Sequence, residues 1–177
     1  YEGSTLRDLF DEEQFNEDDT TLTHTYTSTA NPEISVTYHL SQLARGHGDA
    51  VWNSSIDIAE LLCDVNATHS KLGISKEKFN KTNVIEFGAA AAIPSLVAAR
   101  MGAKCVVITD QYEENAWNAL ELTAAETRTA SLDVCDKIAT AAHEWGEDTS
   151  SLIDAIGGGN NKYDLVIASD CLYNPGC

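Results

Sequence analysis

A run of small residues between an apolar strand and a helix is the part of this sequence with the most specific chemistry. Residues 84–94 read Val-Ile-Glu-Phe-Gly-Ala-Ala-Ala-Ala-Ile-Pro, so the apolar stretch stops at Gly88 and Pro94 falls in the first turn of a helix. Small side chains there leave backbone N–H groups that a ligand can approach closely. Asp110, 24 positions after Glu86, can accept hydrogen bonds from both hydroxyls of a ribose. The pattern predicts a nucleotide-type cofactor site.

The spacing of the small residues distinguishes two kinds of cofactor. A dinucleotide fingerprint needs small residues at offsets 0, 2 and 5 from the first glycine. Offset 5 is the bulky Ile93, whereas offsets 0, 2 and 4 are Gly88, Ala90 and Ala92. With Glu86 two residues before the glycine, this loop resembles the S-adenosylmethionine loop of class I methyltransferases. We therefore expect S-adenosyl-L-methionine and place an NAD oxidoreductase last; the alternative without a ligand is a buried strand–helix turn.

Length and charge narrow the class of protein. The 177 residues fit one domain with a sizeable core. The chain has 28 acidic residues against 11 Lys and Arg, a net charge of −17. Direct nucleic-acid binding needs clustered cations and is therefore not expected. The surplus of acids either keeps the surface solvated or steers a lysine-rich protein toward the site.

The cysteines and the hydropathy pattern favour a cytoplasmic protein. Five cysteines form no C-x-x-C pair, which is typical of reduced thiols. There is no apolar stretch of about 18 residues, and no basic-then-apolar leader is visible, so we expect no membrane interaction. The lone histidines His24 and His39 are expected to be pairing residues in strands, and no metal site is predicted.

The first quarter of the chain is predicted to be an extension ahead of the main domain. Residues 1–19 carry eight acidic side chains and one Arg, which indicates an acidic arm that is either a solvated tail or a docking or autoinhibitory segment. Apolar residues then alternate on both sides of the Asn31-Pro32 turn, and this predicts a β-hairpin. We assign the arm and hairpin to residues 1–45 and a Rossmann-like domain to residues 46–177.

Alternating strands and helices predict a parallel sheet in the main domain. A helix follows Trp52, with Ser54 or Ser55 as its cap. The elements predicted after it are strand 84–87, helix 94–101, strand 105–109, helix 112–126, strand 138–142, helix 149–156 and strand 163–169. The three glycines at residues 157–159 precede a strand and no Lys-Ser/Thr follows them, so we interpret them as a linker.

Five motifs in register carry a resemblance to a known family. In chain order they are Trp52-Asn53-Ser54-Ser55, Glu86-Phe87-Gly88 through Ile93-Pro94-Ser95, Thr109-Asp110, Glu144-Trp145-Gly146 and Asp170-Cys171-Leu172-Tyr173. The sequence resembles the seven-β-strand protein lysine methyltransferases of methyltransferase family 16. Within that family it is most similar to the fungal branch named both nicotinamide N-methyltransferase-like and elongation factor methyltransferase 7. The likeness covers about residues 46–175.

The resemblance implies a donor pocket built from several loops. Its cofactor-binding residues are Trp52, Glu86, Gly88, Ala90, Asp110, Gln111, Trp145 and Ser169. Asp110 holds the ribose, Gln111 lies beside the adenine, and Trp145 flanks the adenine. Glu86 and Gly88 form the floor of the pocket. The alternative for the two tryptophans is that they are ordinary core aromatics.

The resemblance also implies that Asp170 and Tyr173 form the catalytic Asp-x-x-Tyr element of the family. Methyl transfer from a sulfonium to nitrogen needs in-line placement of a neutral amine, which proximity and exclusion of water can supply. Because lysine has a pKa of about 10.4, its deprotonation at neutral pH costs about 4–5 kcal/mol. Desolvation by Tyr173 would lower the pKa of the amine, whereas the Asp170 carboxylate would raise it. We therefore assign Asp170 to orienting the amine; the alternative is a turn cap.

The sequence ends soon after its fourth predicted sheet strand, whereas the family continues through three more. In the usual strand order, 3-2-1-4-5-7-6, the fourth strand is interior. We therefore expect an incomplete, C-terminally truncated fold in which residues 163–169 form an apolar edge.

The expected function is that of an S-adenosylmethionine-dependent protein N-methyltransferase. It would act on a lysine or the N-terminus of a translation elongation factor, with translation elongation factor 1 alpha as the candidate partner. Two alternatives stay open: a small-molecule N-methyltransferase of the nicotinamide type, and a catalytically inactive interaction module.

Overall fold

The computed structural model describes residues 20–45, 48–130 and 138–171. The predicted acidic arm over residues 1–19 and the predicted catalytic Tyr173 lie outside the described residues. Within the described ranges the elements follow the predicted order, with a hairpin first and strands alternating with helices after it.

The hairpin is confirmed and contributes to the main core. β1 (Thr21–Thr27) pairs antiparallel with β2 (Ser35–Ser41), and the amide of Ser28 donates to the carbonyl of Ile34 across the turn at 3.0 Å. Threonines alternate with larger residues along β1, so the strand presents one face to the protein. The hairpin residues buried in the main core are Tyr26, Val36 and Leu40.

Four parallel strands form the central sheet. The further elements are α1 (Asn53–Cys63), α2 (Val65–Leu72), α3 (Lys76–Phe79), β3 (Asn83–Phe87), α4 (Ile93–Arg100), β4 (Cys105–Asp110), α5 (Glu114–Ala130), β5 (Ile138–Ala142), α6 (Ser150–Asp154) and β6 (Leu165–Ala168). The sheet order is β5-β4-β3-β6, and every pair is parallel. This matches the order expected for the first four strands of the family's sheet, and the predicted Rossmann-like α/β fold is confirmed.

Helices cover both faces of the sheet, as a parallel sheet requires. One face packs against α1, α4, α5 and the hairpin, and the other against α6. Residues 93–99 of α4 are all buried. A helix that is buried on every side is a core helix, and α4 therefore fixes the end of the loop predicted to bind the cofactor.

Two boundaries differ from the sequence prediction for identifiable reasons. The helix expected over residues 112–126 runs from Glu114 to Ala130. Its threonine-rich end packs into the core, where Thr123, Ala124 and Thr127 are buried, and the hydroxyl of Thr127 is satisfied by the carbonyl of Thr123 at 2.9 Å. At the start of α1 the predicted serine cap is wrong: the N-cap residue is Trp52, which makes no side-chain cap hydrogen bond.

Later strands of the sheet are added on both sides of β3. From β3 the chain proceeds to β4 and β5 on one side, and β6 pairs on the other side. In open α/β sheets, ligands bind beyond the carboxyl ends of the strands at such a point, where the strand order reverses. The residues that end the four strands are Phe87, Asp110, Ala142 and Ala168.

Three further findings concern the described ranges only. None of their helices is both long and apolar enough to cross a membrane. They contain no group of three or more His, Cys, Asp or Glu arranged to hold a metal ion. Their cysteines are free thiols at Cys63, Cys105 and Cys171.

Candidate functional site

A cleft of about 420 Å³ opens at the carboxyl ends of the strands. Its volume lies within the range of roughly 300–1,000 Å³ usual for small-molecule sites. Eight predicted site residues line it: Trp52, Gly88, Ala90, Asp110, Gln111, Trp145, Ser169 and Asp170. The structure therefore brings together residues that the sequence spreads over more than one hundred positions.

The loop between β3 and α4 has a left-handed backbone at every second residue. Gly88, Ala90 and Ala92 have φ values of 60°, 43° and 56°. These are the offsets 0, 2 and 4 that carry the small residues of the predicted loop, and the left-handed backbone explains why small residues stand there. An L-residue in this conformation costs roughly 1–2 kcal/mol, so both alanines hold backbone strain next to the cleft.

Gly88 is also required by close packing. A Cβ atom at this position would lie 2.7 Å from Sγ of Cys171, which lines the same cleft. The Cys171 thiol donates to the carbonyl of Phe87 at 3.1 Å. Burial, reinforced by nearby carboxylates, raises the pKa of Cys171 to about 11, so this thiol stays protonated at neutral pH and acts as a packing group.

Asp110 ends β4 with both carboxylate oxygens fixed by the backbone. Oδ2 accepts from the amide of Ala90 at 2.8 Å, and Oδ1 accepts from the amide of Gln111 at 2.7 Å. Burial raises the pKa of Asp110, and these two hydrogen bonds oppose that effect. A carboxylate oxygen has a second lone pair. Asp110 can therefore accept two more donors from a ligand in the cleft while it holds the loop in place.

The structure places Glu86 differently from the expectation that it forms the floor of the pocket. Its side chain is fully buried under the loop and does not line the cleft. Oε2 accepts from the amide of Ser95 at 3.0 Å, because the first turn of a helix has amides without intrahelical partners. Burial raises the pKa of Glu86 to about 7, although hydrogen bonds from Ser95 oppose this. Glu86 therefore ties the first turn of α4 to β3 beneath the cleft.

Two exposed tryptophans line the cleft. Trp52 is 40% exposed and Trp145 is 58% exposed, so neither is an ordinary core aromatic. The ring of Phe87 contacts both the Trp145 ring and the His143 ring, with centroid distances of 5.5 Å and 5.6 Å. The turn that carries Trp145 is closed by the Glu147 carboxylate, which accepts from the amide of Glu144 at 2.9 Å.

The end of the cleft next to β6 holds an unused hydroxyl and a strained acid. Ser169 is 8% exposed, and its hydroxyl has no hydrogen-bond partner among the described residues. A buried hydroxyl without a partner is costly, and a polar ligand atom would satisfy it. Asp170 has a φ of 53° and accepts a hydrogen bond of 2.5 Å from the hydroxyl of Ser54.

Five lining residues were missed by the sequence prediction. They are Gly48, Phe87, His143, Glu144 and Cys171. Three of the five, Phe87, Glu144 and Cys171, are immediate neighbours of predicted site residues, so proximity in sequence was the available signal for them. The position of Gly48 depends on tertiary packing, since a Cβ there would lie 3.0 Å from Cβ of Ala116 on α5.

Comparison with known proteins decides the family. A family model described as lysine methyltransferase matches residues 30–176. The chain belongs to this family. Similar proteins include the protein N-terminal and lysine N-methyltransferase EFM7 of Aspergillus fumigatus, which is 32% identical over 133 residues, covering 72% of this chain and 46% of that protein. The proteins of the same name from Yarrowia lipolytica and Schizosaccharomyces pombe are 32% and 28% identical to this chain, and the matched regions cover 47% and 44% of their lengths.

This member of the lysine methyltransferase family spans about half the length of the curated relatives it matches.

Among the described residues, the carboxylates that line the cleft are not balanced by Lys or Arg side chains. Three carboxylates line the cleft in the described structure, at Asp110, Glu144 and Asp170, and no Lys or Arg does. Such a lining attracts cationic groups and repels phosphates.

Proposed function

We propose that this chain carries the donor site of an S-adenosylmethionine-dependent protein N-methyltransferase. The observation that carries the proposal is the cleft beside the left-handed loop, lined by three carboxylates and by no Lys or Arg. Methyltransferases of this class in general use S-adenosylmethionine, whose sulfonium is positively charged. A dinucleotide would instead place a negatively charged pyrophosphate beside three carboxylates, with no Lys or Arg in the described cleft to offset their repulsion.

The polar groups of the cleft match the parts of this donor. Asp110 has free lone pairs for the two ribose hydroxyls, and it is already aligned by the amides of Ala90 and Gln111. The unpartnered hydroxyl of Ser169 suits a polar group of the methionine part. Trp145 and Phe87 offer aromatic faces for the adenine. When bound, the donor supplies an electrophilic methyl group on a sulfonium that needs no acid to leave.

The acceptor is proposed to be an amine of a protein. The relatives are named as protein N-terminal and lysine N-methyltransferases, and this supports a lysine or an N-terminal amine as the acceptor class. Translation elongation factor 1 alpha is the candidate protein. An acidic cleft favours a basic segment of such a protein, because the chain's net charge of −17 gives a long-range attraction.

Asp170 is proposed to orient the acceptor amine, and Tyr173, which lies outside the described residues, is proposed to desolvate it. Asp170 lines the cleft next to Ser169, at the end assigned to the methionine part of the donor. A carboxylate there accepts hydrogen bonds from the amine and directs its lone pair toward the methyl group. It does not lower the pKa of the amine, since a nearby negative charge favours the protonated form.

Calorimetric titrations with S-adenosylmethionine and with NAD test the proposal. We expect micromolar binding of the first and no measurable binding of NAD. Transfer of labelled methyl groups to purified elongation factor 1 alpha is then assayed in parallel. Tight binding of NAD would refute the assignment of the donor. Donor binding without transfer to this or any other protein acceptor would refute the proposed enzyme and leave an inactive methyltransferase-fold module.

A further inference from the structure

The first turn of α1 contacts the carboxylate that the proposed function makes catalytic. The hydroxyl of Ser54 donates to Oδ2 of Asp170 at 2.5 Å, joining residues 116 positions apart in sequence. Hydroxyl–carboxylate bonds of this length are charge-assisted and stronger than neutral ones. The serine that sequence reasoning assigned to capping the helix therefore bonds to a side chain of the cleft instead.

Asp170 needs such a partner to keep one orientation. It is exposed, it follows the end of β6, and its φ of 53° lies in the left-handed region. An exposed aspartate side chain exchanges rotamers readily unless a hydrogen bond restricts it. In the described structure the Ser54 hydroxyl supplies that restriction.

The same helix end also forms a wall of the cleft. Trp52, the N-cap residue of α1, lines the cleft two positions before Ser54. One turn of backbone therefore fixes both an aromatic wall and the direction of a carboxylate. Since α1 is anchored by fully buried residues such as Ala59 and Leu62, this turn is a rigid reference for the loop after β6.

We propose that Ser54 is a positioning residue that holds the Asp170 carboxylate toward the acceptor amine. The inference deepens the proposed function and rests on it. Loss of the hydroxyl leaves the charge of Asp170 in place but frees its rotation. Misplacement of a reacting group by about 1 Å can cost roughly 100-fold in rate, so Ser54→Ala should lower kcat by roughly 10–100-fold. Donor binding should change by less than about twofold, because Asp110 and the loop are untouched.

Two control variants separate positioning from general stability. Ser54→Thr keeps a hydroxyl at the same place and should retain most of the wild-type kcat. Ser70→Ala removes an exposed serine hydroxyl from α2, where it donates only to the nearby carbonyl of Ala67. This second variant should behave as the wild type in every assay.

The test combines a structural and a kinetic measurement on the full chain. NMR Hα–Hβ couplings of Asp170 should report one rotamer in the wild type and Ser54→Thr, and averaged rotamers in Ser54→Ala. Steady-state methyl transfer to elongation factor 1 alpha then gives kcat and KM, and calorimetry gives the Kd for S-adenosylmethionine. Unchanged couplings together with an unchanged kcat in Ser54→Ala would overturn the inference. If Asp170→Asn keeps full turnover with normal donor binding, the role of Asp170 itself fails, and a chain that binds no donor would refute the proposed function.

Discussion

Replacement of Ala90 by glycine tests whether the backbone of the loop is strained. The φ of 43° at Ala90 should cost roughly 1–2 kcal/mol, and glycine would relieve that cost. Glycine also makes the unfolded chain more flexible, which opposes the gain by about 0.5–1 kcal/mol. The side chain is only half-buried, so little packing is lost. Ala90→Gly should therefore raise the free energy of unfolding by about 0.5–1 kcal/mol, or Tm by roughly 1–4 °C.

The two neighbouring alanines provide matched controls. Ala92 has a φ of 56° but is fully buried, so its methyl group contributes about 0.8 kcal/mol that glycine loses. Ala92→Gly should be within about 0.5 kcal/mol of the wild type, since the gain and the losses nearly cancel. Ala91 is buried and is not among the residues with positive φ, so Ala91→Gly should destabilise the chain by about 1–2 kcal/mol.

Urea unfolding at pH 7 measures the three variants against the wild type. The expected order of stability is Ala90→Gly first, then wild type and Ala92→Gly, and Ala91→Gly last. If Ala90→Gly lowers the free energy of unfolding as much as Ala91→Gly does, residue 90 is not held in a left-handed conformation. The explanation of the loop would then be wrong.

Three further predictions concern the hydrogen-bonded Glu60, the buried Glu86 and the loop residue Gly88. Burial would raise the pKa of Glu60, but hydrogen bonds from Tyr26, the Thr29 and Ala30 amides and Ser28 lower it from 4.5 to about 2. Glu60→Gln should therefore lower the free energy of unfolding at pH 7 by about 1–3 kcal/mol. Urea unfolding should show this difference from the wild type shrinking as the pH falls from 4.5 to 2. Glu86 should change the stability in the opposite direction with pH, because burial raises its pKa from 4.5 to about 7 and the wild type loses stability as the pH rises through this range. Glu86→Gln should make the stability less dependent on pH, and an unchanged pH profile would contradict the burial of this carboxyl group. Gly88→Ala should lower Tm and abolish donor binding, because the new Cβ would lie 2.7 Å from Sγ of Cys171. Adding Cys171→Ala should recover only part of the loss in Tm, since an alanine at a φ of 60° is still strained.

Much of the fold could be predicted because buried parallel strands read as continuous apolar runs. The run at residues 105–109 and the weaker one at 138–142 both became strands at these places. The predicted serine cap of α1 is wrong, and the true partner of Ser54 could not be predicted because Asp170 is remote in sequence. The late end of α5 depends on the burial of Thr123, Ala124 and Thr127 against the core, which propensity alone does not reveal.

The residues of the candidate site were more predictable than their roles. Positive φ at Gly88 and at the alanines two and four positions later gave the loop its sequence signature. Glu86 has the expected position in sequence, but its alternation with Phe87 along β3 directs it under the loop while Phe87 lines the cleft. His143 was missed because only the packing of β5 beside β4 brings it to Asp110, whose carbonyl accepts from its amide at 2.9 Å.

The most direct test of the donor site is calorimetric titration of S-adenosylmethionine into the wild type, Asp110→Ala and Asp57→Ala. Asp57 is an exposed aspartate of α1 outside the cleft, so its replacement controls for the loss of one negative charge. Circular dichroism melting checks that each variant is folded. Micromolar binding by the wild type and Asp57→Ala, weakened at least roughly 10-fold in Asp110→Ala, is the predicted result. Equal binding by all three folded chains would contradict the assignment of the cleft as the donor site.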